Sequence, residues 1–202
     1  MQVKFLIVVL VAASLFLSCN QKETQFILAG AEIRCAIVLE LGDYNSAVEA
    51  SQAYNSIDWF DRQTTQDDIS RTALAAVELQ SYLSQILNIP RSHVPILDDE
   101  SIPSDGNIIY LGVPRIQELD KPGNYVRRRW RWTKEASPQS FRMDSFNSEF
   151  HNGLVLSGKT STGTLYAVYE LLTRWGVRWF SADSLDEHVP RYPQLSVFDV
   201  HE

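Results

Sequence analysis

The chain has 202 residues, a formal net charge of −7 and 45% hydrophobic residues, which are ordinary values for one soluble globular domain. It is too short to combine an accessory domain with a (β/α)8 barrel, because such a barrel alone needs about 250 residues. The acidic balance argues against a nucleic-acid partner, since nucleic-acid binding depends on basic residues. The chain contains two cysteines, so no disulfide framework is expected.

The first residues are typical of a secretory signal. Lys4 precedes an apolar run from Phe5 to Phe16, and this run is too short to span a bilayer, which takes about 20 apolar residues. The following Leu17-Ser18-Cys19 resembles the end of a bacterial lipobox. We therefore predict a signal peptide at 1–18, lipidation of Cys19 and a lipidated tether at 19–30. The alternatives are cleavage without lipidation and a buried N-terminal helix.

Hydrophobic periodicity predicts the elements of the first half of the chain. They are a strand at 31–41, a short helix at 46–53, a helix from 64 or 65 to 88, and strands at 94–97 and 107–111. The long helix has one apolar face, formed by Ile69, Ala73, Ala76, Leu79, Leu83 and Ile86. Cys35 lies in the first strand, and we interpret it as a small buried thiol.

The second half is predicted to contain a helix at 114–119, paired strands at 141–146 and 153–157, a helix at about 162–175, and strands at 177–180 and 195–200. One face of the later helix carries Leu165, Val168, Tyr169, Leu172 and Trp175. Gly176 suits the left-handed position that follows a helix. The order of elements predicts a layered α+β fold, with one open mixed sheet and two main helices on one face.

The most distinctive motif of the sequence is SGKTSTGTLYAVYELL at 157–172, which is followed by WGVRWF at 175–180 and EHVP at 187–190. It resembles the N-terminal domain of family 67 α-glucuronidases and is equally similar to the N-terminal domains of bacterial β-hexosaminidases. The segments AAVELQSYL at 75–83 and NIIYLG at 107–112 match the first helix and the next strand of those domains. The glycine spacing of the motif is also explained by helix–sheet packing alone.

The resemblance implies that 31–202 is a non-catalytic α/β domain of the kind that lies beside a catalytic barrel. In those families the catalytic carboxylates belong to the barrel, so we assign no catalytic residue and no activity to this chain. The implied function is a carbohydrate-associated accessory domain of an exported glycoside hydrolase, α-glucuronidase-like or hexosaminidase-like, present without its barrel. The alternatives are a surface-anchored interaction lipoprotein with no sugar-processing role and a truncated hydrolase.

The segment 120–138 departs from the pattern of those families because it is rich in arginine and tryptophan. It predicts a contact with a glycan or an anion through Arg127, Arg129, Trp130, Arg131 and Trp132. The alternative is an exposed loop in which guanidinium groups stack on indole rings. We interpret the acidic turns at 98–100 and 183–187 as solvated turns rather than as the carboxylate pair of a glycosidase.

The expected partners follow from these interpretations. They are a glycan, a catalytic barrel in cis or in trans, and a membrane reached through the lipid anchor, in the periplasm or at the cell surface. The four histidines lack the spacing of a metal site and no phosphate loop is present, so neither a metal nor a cofactor is expected.

Overall fold

The computed structural model describes residues 26–58, 64–112, 135–147, 151–180 and 186–197. Its strands are β1 (Phe26–Gly30), β2 (Cys35–Leu39), β3 (Ile96–Asp98), β4 (Asn107–Leu111), β5 (Phe141–Asn147), β6 (Asn152–Gly158), β7 (Arg178–Trp179), β8 (Glu187–His188) and β9 (Gln194–Val197). Its α-helices are α1 (Ala47–Ala53), α2 (Thr65–Leu87) and α3 (Ser161–Arg174), and short 3₁₀ helices lie at Tyr54–Ser56 and Arg91–His93.

The main sheet has five strands in the order β3-β2-β4-β6-β5. The first four strands are parallel, and β5 joins the edge as the antiparallel partner of β6. Helices α2 and α3 pack against the same face of this sheet and against each other. The fold is therefore α+β with a mixed sheet and two main helices on one face, which confirms the prediction.

Both faces of the central strands are buried. Along β2, Ile37 and Leu39 face the helices, whereas Val38 belongs to a second apolar cluster on the opposite face. The described members of this second cluster include Ile108, Tyr110 and Val155, with Leu97, Ile102 and Phe146 packed against them. Strands that are buried on both faces are apolar without alternation, and this explains the unbroken apolar sequence of β2.

Helix α2 begins and ends at the signals that the sequence contains. Thr64 accepts a hydrogen bond from the backbone of Asp67 (3.2 Å), and the Asp67 carboxylate accepts one from the Thr64 backbone (2.7 Å), so the two form a capping box. The Thr64 backbone and hydroxyl both donate to the Asp67 carboxylate, and these two hydrogen bonds lower the pKa of Asp67. The helix ends at Asn88, whose φ of 53° is left-handed. All six residues of the predicted apolar face are buried.

Helix α3 also follows its prediction. Val168, Leu172 and Trp175 are buried, and Leu165 and Tyr169 are half-buried against the same core. After the helix, Gly176 has a φ of +92°, a conformation that glycine adopts without strain. The chain can therefore turn sharply from α3 into β7.

Residues 26–30 differ from the prediction. We expected the tether to extend to residue 30, but β1 pairs with β9 in an antiparallel sheet, with Phe26 opposite Val197. Leu28 and Ala29 are fully buried. This pairing joins residues far apart in the sequence, and local pattern does not reveal it. The predicted strand at 31–41 is also shorter, because Gly30 and Ile33 form a bridge that precedes β2.

Some predictions fall outside the described residues. These are the signal peptide at 1–18, the helix at 114–119 and the end of the last strand at 198–200. Within the described part of the chain, no helix combines the length and the apolar character that a membrane crossing requires.

Leu172→Ala tests the packing of α3 against the sheet. Leu172 is fully buried, so its truncation should lower the free energy of unfolding by about 2–5 kcal/mol. Urea denaturation of the variant measures this change. Val48→Ala is the control, because Val48 is 54% exposed on α1 and its truncation should cost less than about 0.5 kcal/mol. Equal midpoints for the two variants would contradict the described core.

Candidate functional site

Four parallel strands end at the same edge of the main sheet, and both main helices begin there. From β2 the chain proceeds through α2 to β3 on one side, whereas from β4 it proceeds toward β5 and β6 on the other side. The two connections diverge between β2 and β4, so a topological switch point lies between these strands. In open α/β sheets, ligands bind in the crevice outside the carboxyl ends of the strands at such a point.

A cleft of about 240 Å³ lies at this edge. Glu40, which follows β2, and Gly112, which follows β4, both line it. The first two turns of α2, the β6–α3 turn and the start of α3 supply most of the remaining wall. Their polar side chains are Thr65, Asp68, Thr72, Lys159, Thr160, Ser161 and Thr164. The cleft has a mixed lining, because Ile69 and Leu111 lie beside two carboxylates, one ammonium group and several hydroxyls.

The turn between β6 and α3 brings three backbone segments into close contact. A Cβ atom on Gly158 would lie 2.1 Å from the backbone nitrogen of Thr164, and one on Gly163 would lie 2.4 Å from the carbonyl oxygen of Ser140. Real Cβ atoms do not approach backbone so closely, so the fold requires glycine at both positions. The glycine spacing of the sequence motif is thus a packing requirement of this junction.

The polar side chains of the same turn are used within the domain. Thr160 accepts a hydrogen bond from the Gly163 backbone (3.5 Å) as the cap of α3, and its hydroxyl donates to the carbonyl oxygen of Pro138 (2.7 Å). The Thr164 hydroxyl accepts from the Gly158 backbone (3.0 Å), and the Lys159 ammonium donates to the Ala136 carbonyl oxygen. These bonds attach residues 136–140 to the start of α3.

A buried arginine connects the first turns of α2 and α3. The Arg71 side chain is buried, and its Nη1 donates to the Ser161 hydroxyl over 2.5 Å. Ser161 in turn donates to Asp68 over 2.5 Å, and Asp68 lies 3.5 Å from the Arg71 guanidinium. Buried charges require partners of this kind. Sequence reasoning missed Arg71, because its partner Ser161 is 90 residues away along the chain.

A second cluster, of aromatic and acidic side chains, lies further along the two helices. The Trp179 indole N–H donates to the Tyr82 hydroxyl (2.7 Å), which donates to the Glu187 carboxylate (2.7 Å). The Trp179 ring also meets Tyr82 and Tyr169 edge-on, with centroids 5.6 and 5.4 Å apart. This aromatic cluster attaches the β7–β8 pair to both helices.

Burial raises the pKa of Tyr82 to about 12, and it raises the pKa of Tyr169 to about 12 as well. The nearby carboxylates of Glu187 and Glu78 act in the same direction, because a negative charge disfavours a phenolate. Both tyrosines therefore remain protonated hydrogen-bond donors over the physiological pH range.

The site residues predicted from the sequence lie mostly outside the described residues. This holds for Cys19 and for the segment with Arg127, Arg129, Trp130, Arg131 and Trp132, so these assignments stay predictions. Cys35 is buried in β2, and burial raises the pKa of its thiol to about 12. Of the described residues, no three His, Cys, Asp or Glu side chains are grouped so as to hold a metal ion.

The acidic turn at 98–100 has a structural role. Asp98 accepts hydrogen bonds from the backbone nitrogens of Leu41 (2.9 Å) and Glu100 (3.0 Å). Asp99 accepts one from the Tyr110 hydroxyl (2.8 Å). These carboxylates therefore hold the ends of β2, β3 and β4 together rather than lying wholly in solvent.

Comparison with known proteins adds no family to this description. No protein-family model matches the chain, and no curated protein matches it at a significant level.

Gly163→Ala tests the close contact at the β6–α3 turn. Alanine in a helix is normally more stable than glycine, but the added methyl group would meet the Ser140 carbonyl oxygen. We expect a loss of about 1–3 kcal/mol in the free energy of unfolding, measured by chemical denaturation. Thr162→Ala, one residue earlier in the helix, is the control and should leave stability unchanged or slightly higher. A stabilised Gly163→Ala protein would show that the contact is absent.

Tyr169→Phe tests the aromatic cluster through the pH dependence of the free energy of unfolding. The folded-state pKa of Tyr169 is about 12 and its ordinary value is 10.0, so the protonated phenol contributes stability that is fully present below pH 10.0. That contribution is lost as the pH rises toward about 12. The free energy of unfolding should therefore fall less steeply over this range in Tyr169→Phe than in the unmodified protein. Tyr166→Phe, exposed on the same helix, should retain the full slope.

Proposed function

We propose that this chain is a non-catalytic, carbohydrate-associated accessory domain of an exported glycoside hydrolase, of the α-glucuronidase-like or hexosaminidase-like kind. The observation that carries the proposal is the structure of the motif at 157–164. Its glycines are required by backbone contacts, and four of its polar side chains hydrogen-bond within the domain, namely Lys159, Thr160, Ser161 and Thr164. A motif of this kind maintains a scaffold, as expected of a supporting domain rather than a catalytic one.

The pairing of β1 with β9 supports a domain that is joined to its tether and to a further domain on one side. Phe26 and Val197 are opposite each other in this sheet, so the first residue of β1 and the last residue of β9 lie side by side. A tether that begins at Cys19 and a further domain in cis would both be joined there. The same arrangement serves a lipoprotein that recruits a catalytic barrel in trans.

Metabolic labelling with palmitate tests the proposed anchor. We expect the full chain to incorporate label in a bacterial host and the Cys19→Ser variant to lose it. Cys35→Ser is the matched control, because Cys35 is the other cysteine of the chain and is buried in β2. An unlabelled parent protein, or label that persists in Cys19→Ser, contradicts the proposed lipidation.

Thermal denaturation with glycans tests the carbohydrate association. A ligand that binds the folded state raises the melting temperature by mass action. We expect such a rise with acidic xylo-oligosaccharides or with chitin fragments at millimolar concentration. If none of these glycans changes the melting temperature, the carbohydrate association is wrong.

That negative result would favour a surface-anchored interaction lipoprotein without a sugar-processing role. The observation that supports this second function is Phe180, a large apolar side chain that is 75% exposed beside β7. Covering an apolar side chain of this size with a partner protein is favourable, because it removes apolar surface from water. Co-purification that depends on Phe180, and that Phe180→Ser abolishes, would support it.

A further inference from the structure

We draw no further inference here: the strongest candidate, the aromatic cluster of Tyr82, Tyr169 and Trp179 between the two main helices and the β7–β8 pair, already donates its hydrogen bonds within the domain, and nothing in the structure shows what would cover its half-buried rings.

Discussion

The close approach of three backbone segments at Gly158, Gly163 and Ser140 is the contact on which the rest of the structure depends. It sets the start of α3 directly against the end of β6, because no side chain separates the two backbones. With α3 in this position, Ser161 reaches the buried guanidinium of Arg71 on α2. The two helices are thereby joined at their first turns, and both begin at the carboxyl edge of the sheet.

That geometry also leaves a space at the edge. The glycines allow the β6–α3 turn to pack closely against the end of the sheet. The connections that follow β2 and β4 run in opposite directions along the sheet. The cleft lies between this turn and the ends of β2 and β4. At the other side of the helix pair, Trp179 and Tyr82 attach the short β7–β8 sheet. The helices are therefore fixed by hydrogen-bonded polar clusters at two places and by apolar packing between them.

The helices and most strands of the main sheet could be predicted because their signals are local. The capping box at Thr64, the apolar periodicity of α2 and α3, and the glycine after α3 each involve residues within a few positions of one another. Strand β1 could not be predicted, because its partner β9 lies near the opposite end of the sequence, although the two strands are neighbours in the fold. The extent of the tether was overestimated for the same reason.

The sequence by itself determined where the chain is helical, which helix faces are apolar and that glycine follows α3. These properties depend on residues that are close to one another in the sequence. It also contained every residue of the cleft without showing that they meet. Only the tertiary structure decided that Arg71 bonds Ser161, 90 residues away, and that Tyr82 bonds Glu187, 105 residues away. Such contacts arise when whole elements pack together, and no local pattern in the sequence encodes them.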